Sequence, residues 1–148
     1  MMEIRVKKIP KEEPEMVEIR CREVSDEVKE IVAFVKSRQG QLTGSIDGRQ
    51  YEIAIGDVLY VESVDNRTFL YTAKQSYETK QRVYELEEAL KMKRFIRISK
   101  STLVNLMKVK SIRPALNGRF SAALSNGEEI IISRKYVPDL KKTLKGEA

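Results

Sequence analysis

The chain has 148 residues, of which 41% are hydrophobic and 34% are charged, and its formal net charge is +6. This length and composition predict one domain with a packed core and room for a small appendage. The sequence contains no histidine, which excludes His-based catalytic triads and most zinc sites, and its seven glycines form no phosphate-binding loop. We therefore expect no enzyme, no cofactor, no metal site and no small-molecule substrate.

Two features of the sequence bear on its cellular setting. No apolar run approaches the roughly 20 residues that span a bilayer, and the N-terminus lacks the apolar core of a signal peptide. The single cysteine, Cys21, cannot form an internal disulfide, which is typical of a reducing cytoplasm. We expect a cytoplasmic protein without membrane insertion. Alternating apolar and charged residues around Cys21 predict that its side chain is a small part of the core.

The first 40 residues predict an N-terminal β-β-α appendage. Residues 3–9 and 16–22 are typical of two short strands. Ser25 then predicts the N-cap of a helix that runs to about Ser37. Residues 1–40 hold nine basic and nine acidic side chains, so their charges balance. We expect this appendage to serve self-association or signal input.

After the appendage the pattern is typical of strands joined by short turns. Asp47 and Gly48 stand between two strand-like runs and favour a tight hairpin turn. Asp65 and Asn66 stand at a second predicted turn, where Asn66 is expected to be a turn residue. Apolar residues at helical spacing predict one helix over residues 83–92. The predicted strands cover residues 42–46, 51–55, 58–64, 68–73 and 77–80.

Residues 94–105, RFIRISKSTLVN, are the most informative part of the chain, and we call them the basic stretch. Its apolar residues can anchor it in a core, while Arg97, Ser99, Lys100 and Ser101 remain as donors that face one partner. Nucleic acid fits best, because basic side chains meet phosphates and base edges and hydroxyls meet further phosphate oxygens. A strand edge protected by its charges is the alternative interpretation.

The distribution of charge favours the nucleic-acid interpretation. Residues 93–148 hold thirteen basic and four acidic side chains, a net charge of +9. Residues 41–92 hold six basic and nine acidic side chains, a net charge of −3. Positive charge concentrated in one segment is the electrostatic pattern of a DNA or RNA binder. A basic segment also suits an anionic membrane surface.

Two hairpin signals follow the basic stretch. Asn117 with Gly118, and Asn126 with Gly127, each stand between strand-like runs, and both residues of such a pair tolerate positive φ. No helix-turn-helix is recognisable, so loops between strands would have to enter the DNA grooves. The predicted elements are strands at residues 109–115, 120–124 and 129–133, followed by a helical turn at 136–144.

In four segments the chain resembles the LytTR family of bacterial DNA-binding domains. Residues 95–105 and 131–136 are the more specific segments, and residues 57–63 and 83–90 carry the rest. The resemblance covers roughly residues 41–145. It implies a mainly β fold of the α+β kind, with elongated antiparallel sheets and one interior helix. The N-terminal β-β-α segment is then an appendage to that fold.

The resemblance also implies how DNA is bound. Members insert loops into successive major grooves on one side of the duplex, and three loop positions typically read bases. In this chain the first position falls at Arg67 or Thr68, the second at Lys100 and the third at Arg134. Many members carry His where Ser99 stands, and this departure affects the contacts expected with the DNA backbone.

The physical chemistry of these residues agrees with the implied roles. Arg134 has a planar fork that can pair with O6 and N7 of guanine, and its alternative role is a salt bridge. Lys100 can donate to guanine or phosphate, and its alternative is a solvated lysine. Arg97 is expected to contact a phosphate or to be structural, and Arg119 to contact a phosphate or to be an ordinary surface arginine. The complete predicted DNA-binding set is Arg67, Thr68, Arg97, Ser99, Lys100, Ser101, Arg119, Arg134 and Lys135.

We interpret the chain as a stand-alone transcription regulator that binds duplex DNA as a homodimer. Residues 1–40 are the expected appendage and residues 41–148 the expected DNA-binding domain. One rival is an RNA-binding β-barrel module, which usually presents aromatic side chains on a sheet face to stack on bases. Most aromatic residues here alternate with apolar ones and look like core. The other rival is a protein-interaction or membrane-surface adaptor.

Overall fold

In a computed structural model, which describes residues 2–146, the chain forms two antiparallel sheets with three α-helices. This confirms the predicted mainly β fold with a helix between sheet strands. The helices are α1 (Asp26–Arg38), α2 (Val83–Ala89) and α3 (Val137–Leu144). The strands are β1 (Gln41–Ile46), β2 (Arg49–Ala54), β3 (Val58–Val64), β4 (Arg67–Thr72), β5 (Ser76–Thr79), β6 (Phe95–Ser99), β7 (Thr102–Asn105), β8 (Val109–Pro114), β9 (Phe120–Leu124) and β10 (Glu129–Ile132).

The larger sheet has seven strands in the order β2-β1-β5-β4-β3-β7-β6. Its two-residue turns follow from the sequence. Asp47 and Gly48 join β1 to β2 with φ of 49° and 80°, and Asp65 and Asn66 join β3 to β4 with φ of 51° and 63°. Positive φ at both central residues matches the twist of a hairpin, and Asn, Asp and Gly accept it at low cost. These predicted turns are confirmed.

The smaller sheet has three strands in the order β10-β9-β8. Asn117 and Gly118 lie in the β8–β9 turn with φ of 61° and 74°, and Gly127 lies in the β9–β10 turn with φ of 94°. Both predicted hairpins therefore form. A short 3-10 turn, Arg134–Tyr136, leads from β10 into α3.

The larger sheet separates two hydrophobic cores. Val58 and Leu59 are adjacent in β3 but belong to different cores, as the alternation of side chains along a strand requires. The first core lies between the larger sheet and α2, and it contains Leu42, Ile53, Ile55, Val58, Val61, Leu70, Val83, Leu86, Leu90, Phe95 and Leu103. The second joins β3, β6 and β7 to the smaller sheet and α3, and it contains Leu59, Ile98, Val104, Leu106, Ala122, Leu124, Ile132, Val137 and Leu140.

The N-terminal segment differs from its prediction in two respects. The helix α1 forms where expected, and the Ser25 hydroxyl accepts a hydrogen bond from the Val28 N–H at 3.3 Å. Residues 3–9 and 16–22 form no strands, so these two predictions are wrong. Apolar and polar residues alternate in both runs, but a strand also needs a neighbouring strand, and none in the described chain pairs with them. Cys21 is exposed, so its predicted place in the core is wrong.

The helices of the described chain are short. None of those within residues 2–146 combines the length and the apolar character that crossing a bilayer requires.

Candidate nucleic-acid interface

Strand register places two of the predicted loops side by side. Strand β7 begins where β3 ends, with Thr102 opposite Glu62, and the Ser63 N–H donates to the Ser101 carbonyl at 2.9 Å. The β3–β4 turn and the β6–β7 turn therefore lie at the same end of the larger sheet. Lys100 stands exposed in the second of these turns.

Backbone contacts bring the smaller sheet to the same end. The Ser133 N–H donates to the carbonyl of Ile98 at 2.8 Å, so the residues that follow β10 lie beside the end of β6. Gly118 lies directly against Arg134, since a Cβ atom added to this glycine would be 2.8 Å from the arginine Cδ. We call this group of turns, residues 65–67, 99–101, 116–119 and 133–136, the turn edge.

The β6–β7 turn is held by its own side chains. The Ser99 hydroxyl oxygen accepts a hydrogen bond from the Ser101 N–H at 3.2 Å, and this contact helps to hold the turn. Ser99 and Ser101 are half-buried, whereas Lys100 is exposed. The turn thus presents one cationic side chain outward on a backbone that two serines keep in place.

Arg97 lies beneath this turn and is structural in its observed contacts. Its guanidinium donates to the Lys100 carbonyl at 2.7 Å and pairs with the Glu87 carboxylate of α2 at 3.1 Å. The arginine side chain is only 17% exposed, and its Nε is buried without a hydrogen-bond partner among the described residues. Of the two roles that the sequence left open for Arg97, these contacts favour the structural one.

The β3–β4 side of the turn edge presents Arg67 but not Thr68. Thr68 is 4% exposed because it lies within the larger sheet, paired with Ser63 and Thr79. A buried hydroxyl cannot reach a base, so the structure removes Thr68 from the accessible set. Arg67 is exposed.

Arg67 already has an acidic partner on β5. Its Nε and Nη2 donate to the two carboxylate oxygens of Glu78 at 3.0 Å and 2.7 Å, and its guanidinium lies 5.3 Å from the Phe69 ring centre. The hydrogen bond from Arg67 lowers the pKa of the Glu78 carboxyl, and the same contact raises the pKa of Arg67. A phosphate approaching Arg67 would have to compete with Glu78.

Three further predicted residues lie around the Arg134–Tyr136 turn. Arg134 is exposed, and its guanidinium forms no ion pair within residues 2–146, so the alternative salt bridge is not made there. Lys135 is exposed and its Nζ lies 5.9 Å from the ring centre of Tyr136. Arg119 uses its Nε to donate to the Leu116 carbonyl at 3.1 Å, which holds its own turn.

Sequence reasoning missed the two carboxylates that hold these arginines. Glu78 is eleven residues from Arg67 along the chain, and Glu87 is ten residues from Arg97. No local pattern points to such pairs, because they form only when the sheet and α2 come together.

Two polar contacts fix the sheets that support the turn edge. Asn105 donates from Nδ2 to the Val58 carbonyl at 2.9 Å and accepts from the Met107 N–H at 3.0 Å, so its side chain caps the short turn that follows β7. The Tyr60 hydroxyl donates to Glu128 at 3.0 Å and so joins β3 to the β9–β10 turn. Burial, with added effect from Glu128, raises the pKa of Tyr60 above its ordinary 10.0.

Comparison with known families identifies this architecture. A family profile described as the LytTr DNA-binding domain matches residues 48–145, more than half of the chain. The chain belongs to the LytTR family. A solved LytTr DNA-binding domain from Bacillus cereus is 26% identical, with a TM-score of 0.68 over 71% of this chain and 96% of that one.

Relatives with transcription-related names extend this LytTR assignment. An uncharacterized HTH-type transcriptional regulator of Staphylococcus aureus strain MSSA476 is 29% identical over 136 residues, covering 90% of this chain and 92% of its own length. The sensory transduction protein LytT of Bacillus anthracis is 28% identical over 123 residues, and that alignment covers 83% of this chain but 49% of LytT. Within residues 2–146, strands separate the α-helices from one another along the chain, so these residues contain no helix-turn-helix. None was recognisable in the sequence.

Proposed function

We propose that this protein is a transcription regulator that binds duplex DNA through the turn edge. The observation that carries the proposal is the convergence of exposed cations from distant parts of a LytTR fold. Arg67 is the first residue of β4, next to the β3–β4 turn, and Lys100 and Arg134 stand on the turns that follow β6 and β10. Strand register and backbone contacts bring these three turns to one end of the molecule. Cations on turns can enter a major groove when no helix is available for it.

The contacts around each cation suggest different roles for them. Within residues 2–146 Arg134 has a planar fork without an acidic partner and Lys100 an exposed ammonium, so both are suited to base edges. Arg67 takes the first reading position in place of Thr68, after exchanging Glu78 for DNA. Ser99, Ser101, Lys135 and Arg119 are suited to the phosphate backbone, where donors position a protein without reading sequence. Arg97 positions the β6–β7 turn.

The net charge of +9 on residues 93–148 supplies the attraction that any duplex would experience. Neutralising phosphates releases bound counterions, so the logarithm of affinity should fall with the logarithm of salt by roughly 0.9 per phosphate contacted. A titration of duplex affinity against salt measures this slope. A flat titration would contradict the electrostatic argument.

An RNA-binding module is not favoured by the aromatic residues. Tyr60 stacks on Tyr71 with ring centres 4.5 Å apart, and Tyr60 packs against the second core. Rings that stack on each other leave less free face for bases than an RNA-binding platform needs. The turn edge carries hydroxyls and cations suited to binding, and we assign it no catalytic role.

The remaining parts of the proposal concern the assembled protein. Residues 1–40 would form a unit separate in function from the DNA-binding residues 41–148. Two copies would act together on DNA, since linking two sites raises affinity through effective concentration. The protein would work in the cytoplasm, where its DNA target lies.

Selection of bound duplexes from a random pool tests the proposed function. The enriched duplex is then compared with a scrambled duplex of the same length and composition at fixed salt. We expect enrichment of a defined sequence and a large excess of affinity for it over the scrambled control. Equal affinity for both duplexes would mean that the protein binds polyanions without reading them.

A further inference from the structure

The β8–β9 turn exposes an apolar side chain on a surface that is otherwise polar. Leu116 is 78% exposed, and within the turn edge, all of whose residues the structure describes, it is the only large apolar side chain so exposed. The other residues of the turn edge are polar, charged, glycine or tyrosine. A single exposed leucine is ordinary on a protein surface, but this one has a fixed place beside a proposed base reader.

Hydrogen bonds within the turn hold the backbone of Leu116. Its carbonyl accepts from the Arg119 N–H at 3.3 Å and from the Arg119 Nε at 3.1 Å. The Ala115 N–H donates to the Arg119 carbonyl at 2.8 Å, which closes the turn where the two strands meet it. A side chain presented by a turn that is already ordered loses less conformational freedom on binding than one presented by a flexible loop. The turn therefore displays Leu116 in a defined position.

The same turn lies directly against Arg134. A Cβ added to Gly118 would be 2.8 Å from the Arg134 Cδ and 3.1 Å from its Cγ. Leu116 precedes Gly118 by two residues, which span at most about 7 Å of extended chain. Successive base pairs are stacked roughly 3.4 Å apart, so this distance corresponds to about two base steps. When Arg134 meets a guanine in the major groove, Leu116 is within reach of a neighbouring base pair in the same groove.

We propose that Leu116 contacts the C5-methyl group of a thymine next to the guanine that Arg134 reads. Thymine presents this methyl group in the major groove, and apolar side chains recognise it. The other groups on the base edges there are hydrogen-bond donors and acceptors, which a leucine side chain cannot pair with. Contact between leucine and methyl removes apolar surface of both from water. This inference rests on the proposed function and adds a base that the turn edge should prefer.

Replacing thymine by deoxyuridine tests the contact, because it removes the methyl group and leaves the hydrogen-bonding edges unchanged. Each thymine of the selected duplex is replaced singly, and the affinity for each duplex is measured at fixed salt. The guanine read by Arg134 is located as the base pair whose substitution no longer weakens binding in Arg134→Ala. We expect one deoxyuridine beside this guanine to lower the affinity of the wild type by about fourfold, the effect of burying one methyl group.

Variants of Leu116 test whether this side chain detects the methyl group. Leu116→Ala should bind the thymine and deoxyuridine duplexes alike, and its exposed position leaves both cores intact. Leu116→Met keeps an apolar side chain of similar volume and should keep most of the difference. Met107→Ala is the matched control, because Met107 is 71% exposed but follows β7 at the end of the larger sheet away from the turn edge. This control should retain the full fourfold difference.

The results that would overturn this inference can be told apart from failure of the proposed function. A difference between thymine and deoxyuridine that persists in Leu116→Ala would mean that another group contacts the methyl. A selected duplex in which no deoxyuridine beside that guanine changes affinity would mean that no methyl is contacted. Both results leave the preference for the selected duplex over the scrambled one in place. Equal affinity of the wild type for those two duplexes would overturn the proposed function and this inference together.

Discussion

Two arginine–glutamate pairs near the turn edge differ in how far the arginine is exposed, although the carboxylates of Glu87 and Glu78 are both partly exposed. The Arg97 side chain is 17% exposed, and its contacts with Glu87 and the Lys100 carbonyl are made beneath a turn. The Arg67 side chain is 61% exposed, and its pair with Glu78 lies on the surface, where water and salt screen it. The two pairs are therefore suited to different roles. Arg97 holds the β6–β7 turn, whereas we expect the exposed Arg67 to exchange Glu78 for a DNA phosphate or base.

The largest effect on stability is expected from removing the less exposed arginine, Arg97. Arg97→Ala should lower the free energy of unfolding by about 1–3 kcal/mol, because it removes a charge-assisted hydrogen bond and leaves Glu87 without its partner. It should also reduce affinity for the selected duplex, since the β6–β7 turn that presents Lys100 loses its support. Urea unfolding and duplex competition measure the two effects.

The matched control for Arg97 is an exposed pair of the same length. Arg113 lies 3.1 Å from Glu129, and its side chain is 73% exposed. Arg113→Ala should change the free energy of unfolding by no more than about 0.5 kcal/mol. If both alanine variants unfold at the same urea concentration, burial is not what distinguishes the pairs.

Arg134 extends the comparison to a cation with no acidic partner in the described residues. Arg134→Ala should reduce the preference for the selected duplex over the scrambled one by about 1–3 kcal/mol, which is the discrimination that a bidentate arginine–guanine pair provides. Lys135→Ala removes the same charge from the next residue and should weaken both duplexes alike. The measurement is the ratio of the two affinities at fixed salt. If Arg134→Ala leaves this ratio unchanged, Arg134 does not read bases.

A feature of this site could be predicted from the sequence when neighbouring residues in the chain determine it, and could not when residues far apart in the chain determine it. The turns at Asp65 and Asn66 and at Asn117 and Gly118 were predictable, because positive φ is a property of the residues in the turn. The partners Glu78 and Glu87 were not, since sheet register and helix packing bring them to their arginines. The resemblance to LytTR domains implied which positions read bases, which stays a prediction, but only the sheet pairing shows that Thr68 is buried.

The strand predictions for the N-terminal segment were wrong for a related reason. Residues 3–9 and 16–22 have the alternation of strands, which is a local property of the sequence. A strand also needs a neighbour to pair with, and no strand of the described chain pairs with these residues. Sequence patterns describe what a segment can pair with, and they do not say whether the partner lies in the same chain.

A smaller effect is expected where the β8–β9 turn touches Arg134. A Cβ added at Gly118 would be 2.8 Å from the Arg134 Cδ, and the backbone there has φ of +74°. Gly118→Ala should therefore turn Arg134 aside and reduce the affinity ratio by a part of what Arg134→Ala removes. Gly127→Ala is the control, since it has φ of +94° and open space around the added Cβ. The two variants should lose similar stability, and only Gly118→Ala should change the ratio.

The smallest effect is expected at the exposed pair. Glu78→Gln keeps the shape of the side chain but removes the charge that competes with DNA for Arg67, so affinity for any duplex should rise by about threefold at low salt. Glu88→Gln removes the same charge from an exposed helix position and measures the general effect of charge. A rise of equal size in both variants would mean that Glu78 does not restrain Arg67.

The pH dependence of duplex affinity tests the Arg67–Glu78 pair in a second way. The hydrogen bond from Arg67 lowers the pKa of Glu78 below its ordinary 4.5, so the folded state favours the charged carboxylate. The pair therefore contributes to stability above pH 4.5 and loses that contribution as the pH falls through the lowered value. At any pH well above 4.5 Glu78 stays charged and its competition with DNA should be constant. A duplex affinity that changes near neutral pH in wild type but not in Glu78→Gln would contradict the assignment, because it would require Glu78 to titrate where its partner keeps it ionised.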